Sequence, residues 1–278
     1  MNGQTSLFRI CMIVLLFGSA VCAQGGVQAG SEDHAWPREI KMGISMSIPP
    51  WVIKKDNSGI ELDILVAAFN PRQYVIKPSY VPFARAYSHF ESGLLDGVIN
   101  ANKTISKSGY LSDTVVTFQN VAISLAQKHY PEKFPIDFLK DKSVIAFQNA
   151  KKVLSAEFGA MADRNPRYQE VPQQGQQISM LFIREIDFIV MDKSIFGYYW
   201  NQAVNDKSKA AYNYHKPVRF HPVFKPSPYP FIFKEKHIRD EFNHGLKRIK
   251  ESGEFDRILK KYDHLSDLYR RNNRGNDE

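Results

Sequence analysis

The stretch from residue 82 to residue 128, PFARAYSHFESGLLDGVINANKTISKSGYLSDTVVTFQNVAISLAQK, constrains the fold more than any other part of the chain. Phe83, Tyr87, Phe90 and Leu94 recur at helical spacing, and Val98-Ile99 is the core of a short buried strand. Residues 100–110 are polar, and residues 118–128 are strand-like until Tyr130-Pro131 and Phe134-Pro135 break them. Helix, buried strand, polar loop, long apolar strand and then a fresh series of elements is the order expected where a chain crosses from one lobe to another. The loop at 100–110 then faces the space between the lobes.

The sequence on either side repeats one alternation. Residues 39–45 alternate as a strand that stops at Ile48-Pro49-Pro50-Trp51, because two prolines cannot continue a ladder, and Trp51 is left on a loop. Asp56-Asn57-Ser58-Gly59 is a turn, Ile60, Ile64, Ala67 and Ala68 mark a helix, and residues 74–77 start the next strand. Beyond Pro135 the pattern resumes, with short helix 137–142, strand 143–147, helix 152–164 and strand 168–171. A helix carrying Ile178, Leu181, Phe182 and Ile186, strand 187–192 and helix 194–203 follow. β-like text at 212–224 leads into Pro226-Ser-Pro-Tyr-Pro230, whose prolines impose a stiff extended connection suited to a return crossing, and then Phe231-Ile-Phe233. Helices at 237–252 and 255–262 are split by Gly253. Strand–helix alternation of this kind predicts an α/β protein with helices on the sheet faces.

Residues 1–9 carry one positive charge, residues 10–17 are almost wholly apolar, and small residues run to Ala23. This is the layout of a secretory signal peptide, with cleavage expected after Ala23 or, as a second position, after Ala29. The apolar run is too short for the ~20 residues that span a bilayer, so no membrane insertion is expected after cleavage. Both cysteines, Cys11 and Cys22, lie before that cut, so the mature chain relies on its core rather than on disulfides. The formal charge is +8, or +7 once Arg9 is removed, and the Lys and Arg are spread along the chain instead of gathering with aromatic platforms. That distribution, with export, argues against a nucleic-acid partner. No GxSxG, GxxxxGK[ST], GxGxxG or HExxH motif occurs, and the eight histidines form no short ligand spacing, so neither a cofactor nor a metal is expected.

Six landmarks then fall in order between Ile40 and Tyr262. IPPW at 48–51 resembles a Pro-Pro-aromatic loop after a first strand, followed by GIELDILVAAF. ESGLLDGVINANKTISK and YLSDTVV come next, then REIDFIVMDKSIFGYY and FNHGLKRIKESGEFDRILKKY. Together they resemble the bacterial periplasmic solute-binding proteins of family 3, the substrate-binding type of polar amino acid ABC transporters. The resemblance implies a two-lobe type II periplasmic-binding fold, with a cleft between lobes and two hinge crossings. Lobe 1 would take residues 37–120 and 225–262, lobe 2 residues 121–224, and residues 263–278 a flexible tail. It implies a periplasmic monomer that binds a small polar solute, an amino acid or related carboxylate, and hands it to an ABC permease or a membrane sensor.

Such a cleft needs a flat aromatic wall, a cation for a carboxylate and an anion for an ammonium. Trp51 is the candidate wall, or else a partly buried loop aromatic. Asp192 stands at the family's ammonium-binding position, or else caps the helix that follows it. The family's arginine three residues after the Thr is replaced: Lys107 follows Thr104, a point charge without the guanidinium fork, and either binds an anionic group less selectively or is solvated. Arg85, off the apolar stripe of its helix, either reaches the cleft or faces water. Asn100, Asn102, Gln148 and Asn149 sit at strand ends, where open α/β sheets place ligands. An enzyme on the same fold, resembling cyclohexadienyl dehydratase, would need an acid or base from Asp192, Lys107 or Glu91. A receptor-like module acting through a partner protein is the third reading.

Overall fold

The structure is a computed structural model that describes residues 37–44, 48–101, 108–209 and 211–264. The expected signal peptide with its cleavage positions, Asn102, Lys107 and the tail beyond residue 264 lie outside the described residues. In chain order the first half holds β1 (Arg38–Ile44), α1 (Ile60–Ala68), β2 (Tyr74–Tyr80), α2 (Phe83–Glu91), β3 (Gly97–Val98), β4 (Tyr110–Phe118) and β5 (Asn120–Leu125). Then come β6 (Val144–Phe147), α3 (Ala150–Val153), α4 (Ala156–Arg164), β7 (Tyr168–Val171), α5 (Gly175–Phe182) and β8 (Phe188–Asp192). The described residues end with α6 (Lys193–Asn205), β9 (Val218–His221), β10 (Ser227–Phe233), α7 (Lys236–Glu251) and α8 (Glu254–Lys261).

The strands form two five-stranded sheets of the same plan, ordered β2-β1-β3-β10-β4 and β7-β6-β8-β5-β9. In the first, β1 lies parallel to β2 and β3, and β10 runs antiparallel to β3 and β4. In the second, β6 lies parallel to β7 and β8, and β5 runs antiparallel to β8 and β9. The chain passes from the first sheet to the second through Gln119 alone, and returns through residues 222–226. The two passages touch, since Gln119 Nε2 donates to the Phe224 carbonyl at 3.4 Å.

Burial on both faces explains why the central strands read as continuous apolar runs. Along β8, Phe188 and Val190 join the core under α4 with Phe158 and Met161, while Ile189 and Met191 join the opposite core with Ile178, Phe196 and Trp200. A buried polar pair sits in the same sheet: Ser124 Oγ and His221 Nε2 are 2.9 Å apart, and His221 Nδ1 lies 3.1 Å from the Glu132 carbonyl. The carbonyl can only accept, so Nδ1 carries the proton and Nε2 accepts from the serine. In the first sheet, α1 and α7 pack so closely that a Cβ on Gly245 would overlap the Ala68 carbonyl oxygen.

Local differences from the sequence expectations have physical causes. The apolar text at 118–128 is not one strand: it is cut at Gln119, where the chain changes sheets, and residues 126–128 close in a 3-10 turn. Residues 110–118, between the polar loop and that apolar run, form β4. The helix expected at 152–164 is two, because Ser155 takes an extended conformation and its side chain accepts from the Phe158 N–H, starting α4 afresh. Between 212 and 224 only β9 is a strand. The proline-rich passage belongs to β10, where Pro228 and Pro230 fall before the two residues that pair with β3, so the absent N–H groups interrupt no ladder there. The ladder with β4 shifts register on either side of Pro230.

Candidate functional site

A cavity of about 410 Å³ opens between the two sheets. Ile48, Phe118 at the end of β4, and Ser227 and Tyr229 of β10 border it from the first sheet. From the second come Asn120 of β5, Phe147 and the Gln148-Asn149 turn at the end of β6, Gln174 before α5, and Asp192 at the end of β8. The carboxyl ends of three parallel strands, β6, β7 and β8, thus converge on it, the place where open α/β sheets hold ligands. A second cavity of about 630 Å³ shares Ile48, Gln148, Gln174 and Ile195 with the first and continues along α5 and α6 past Ser179, Tyr199 and Gln202.

The turn after β6 is shaped by its own backbone. Asn149 has φ of 67°, a left-handed conformation that Asn tolerates, and its N–H donates to Glu170 Oε2 at 2.7 Å. Gln148 N–H donates to the Val171 carbonyl at 3.1 Å, which leaves both side chains exposed at the cavity. Gln174 Oε1 is buried without a partner and borders both cavities. Among the described residues, Asp192 is the one charged side chain on either lining.

Asp192 is 1% exposed and already engaged. Its Oδ1 accepts from Trp51 Nε1 at 3.1 Å, Ser194 N at 2.9 Å and Ile195 N at 3.2 Å, and its Oδ2 from Gln119 N at 2.8 Å. It therefore caps α6 and also holds the passage between sheets and the loop after β1. Burial pushes the carboxyl above its ordinary value while the N–H groups pull it back, and since every contact is a donor the ionised form satisfies the geometry. Oδ2, with one donor, keeps room for a second.

Of the residues singled out in the sequence, the cavity brings together Gln148, Asn149 and Asp192. Trp51 is 5% exposed and stacks on Phe118 at 4.7 Å between centroids; Phe118 borders the cavity and Trp51 does not. Arg85 is exposed on α2 and borders neither cavity. Asn100 is buried, and its Nδ2 donates to Glu61 Oε2 at 2.9 Å. Glu91 is exposed, accepts from Ser108 Oγ at 2.7 Å and borders neither cavity. Asn120, Phe118, Phe147, Gln174 and Tyr229 were missed. The signals were present: Phe118 and Asn120 flank the crossing, Tyr229 sits in the return passage, and Gln174 lies in the run QQGQQ after a strand end. Among the described residues no group of three His, Cys, Asp or Glu is placed to hold a metal, and no helix is long and apolar enough to cross a membrane.

Known structures share this architecture. The ligand-binding core of GluR0 in complex with L-glutamate superposes with a TM-score of 0.62 at 15% identity, over 81% of this chain and 98% of that one. A histidine kinase sensor domain with similarity to periplasmic binding proteins gives 0.61 at 13% identity, over 82% and 96%. An amino acid ABC transporter substrate-binding protein from Streptococcus pneumoniae Canada MDR_19A, bound to L-arginine, gives 0.57 at 14%, over 81% and 94%. At these identities the likeness shows the fold, the type II periplasmic-binding arrangement of two α/β lobes. No curated protein sequence matches the chain. The model of the bacterial extracellular solute-binding proteins, family 3, matches residues 40–264, nearly all of the described structure, and the chain belongs to that family.

Proposed function

We propose that the chain captures a small polar solute in the cleft between its two sheets and passes it to a membrane transporter or sensor. One observation carries this reading: the cavity is bounded from both sheets, with carboxamides of Asn120, Gln148, Asn149 and Gln174 facing it and the rings of Phe118, Phe147 and Tyr229 giving it flat apolar walls. Carboxamides both donate and accept, so they suit a ligand carrying carbonyl, hydroxyl or amine groups. Relatives of the same fold hold L-glutamate and L-arginine, which makes amino acids and related carboxylates the leading class. An ammonium on such a ligand would meet Asp192 through the remaining position on Oδ2.

The test is thermal unfolding against L-arginine, L-glutamate, small dicarboxylates, polyamines and oligosaccharides. A ligand at a hundred times its Kd stabilises by about 2.7 kcal/mol, well within detection. One class is expected to stabilise the protein, and Asn120→Ala or Gln148→Ala to reduce that gain. No stabilisation by any class, or a gain unchanged in both variants, refutes the cleft as the binding site.

A further inference from the structure

Glu61 is a fully buried carboxyl on α1 that the cleft does not use. Its Oε2 accepts from Asn100 Nδ2, and the two atoms left over, Glu61 Oε1 and Asn100 Oδ1, are both buried and both without a partner. These are one carboxyl oxygen and one amide oxygen, the two that a second hydrogen bond between the same groups would join. Both are acceptors, so an ionised Glu61 leaves them bare. A single proton on Oε1 repairs both at once: the acid then donates to Oδ1 while the amide donates to Oε2, and the pair closes as a ring of two hydrogen bonds.

Among the described residues, the charged groups on the elements around Glu61 are engaged elsewhere or exposed. On β10, Tyr229 is the facing titratable group, and burial above all holds its hydroxyl neutral. Lys261 at the end of α8 and Tyr262 just after it both donate to Asp63, two residues beyond Glu61 on α1. From α7, Arg248 donates to the carbonyls of Ala67 and Ala68. From β2, Lys77 pairs with Glu39 and Tyr80 donates to Asn57, while Tyr74 packs its ring on Phe69. On β4, Tyr110 and Asp113 are exposed. Burial pushes the Glu61 carboxyl up to about 8, with the Asn100 bond opposing it.

Asn100 marks the exit of β3. Its φ is 53°, a left-handed turn, and the next N–H, of Ala101, donates to the Pro230 carbonyl at 2.8 Å, beside the Tyr229 that walls the cavity. We propose that Glu61 is a positioning residue held by its proton: as a neutral acid it closes a two-bond pair with Asn100 that fixes the exit of β3 against the cleft wall, and its deprotonation opens that pair. The cleft wall thereby becomes sensitive to alkaline pH.

The measurement needs no ligand and so stands apart from the binding assay. Carbon-13 NMR of glutamate carboxyls in the whole protein, titrated from about pH 5 to about pH 10, follows the proton directly, either side of the expected midpoint. One carboxyl titrating above neutrality is expected, absent from Glu61→Gln, with the Asn100 side-chain amide resonances moving at the same midpoint. In Glu61→Gln, which keeps a neutral donor–acceptor group, those resonances are expected to be independent of pH. A wild-type spectrum in which every glutamate titrates in the ordinary carboxylate range overturns the proposal, even if the variant fails to fold. So does an Asn100 resonance that shifts identically in wild type and Glu61→Gln.

Discussion

Replacing Trp51 by Phe isolates one contact between the two halves of the molecule. Phe keeps the six-membered ring stacked on Phe118 and removes the indole N–H that reaches Asp192 Oδ1. Hydrogen bonds to charged groups contribute roughly 1.5–3 kcal/mol, and this one is buried at both ends, so Trp51→Phe should cost about 2 kcal/mol. Asp192→Ala is harsher. It strips the cap from α6, worth about 1 kcal/mol, and leaves Trp51 Nε1 and the Gln119 N–H as buried donors, each costing roughly 1–3 kcal/mol. A loss of about 5 kcal/mol brings a protein of ordinary stability near its limit. The two changes should not add: once Asp192 is gone, Trp51→Phe removes an unsatisfied donor, and its cost should vanish or change sign. Urea unfolding of the four proteins at neutral pH, followed by circular dichroism because fluorescence would change with the tryptophan itself, gives the coupling directly. If Trp51→Phe costs the same about 2 kcal/mol in both backgrounds, the bond across the sheets is absent in solution and the reasoning fails.

Within the cleft, Asn120→Ala should weaken a ligand found by thermal unfolding about tenfold, or about 1.4 kcal/mol, whereas Arg85→Ala should leave its affinity unchanged; calorimetry measures both. Gly245→Ala should destabilise by about 3 kcal/mol or more, since backbone stands where the methyl must go, and a variant as stable as the parent would mean α1 and α7 are farther apart than described. His221 is buried and its pKa lies below the ordinary 6.5, chiefly through burial. Its unfolded form therefore binds more protons than its folded form, so stability falls as pH drops through 6.5. Urea midpoints of His221→Gln should be flatter than the parent's over that window, and equal slopes would assign the acid sensitivity elsewhere.

The alternation of elements was legible because each face of each sheet is buried by a different helix, so runs such as FIVMD and NVAIS declare themselves by composition alone. The passage between sheets was harder to place. A change of sheet at Gln119 leaves no break in the apolar text, since β5 continues to be buried after the crossing. In the site, strand-end residues such as Gln148 and Asn149 follow from the geometry of α/β sheets, and Asp192 followed from the resemblance. The pairing of Trp51 with Asp192 spans 141 residues of sequence and no local pattern encodes it. Glu61 reads in sequence as one acidic residue in a mainly apolar helix; only the folded chain, which buries it and bonds it to Asn100, shows that it faces inward.

The position of β10 between β3 and β4 sets an order of assembly. A chain delivered from its N-terminus presents β1 to β4 early, yet among the described strands β4 pairs with β10 alone, more than a hundred residues downstream at Ser227–Phe233. Meanwhile residues 120–221 already contain every strand of the second sheet. The later half can finish first, with β4 waiting as an open edge that invites mispairing until β10 arrives. Closure of the first sheet is thus a non-local pairing, the kind that forms more slowly than contacts between neighbours in sequence.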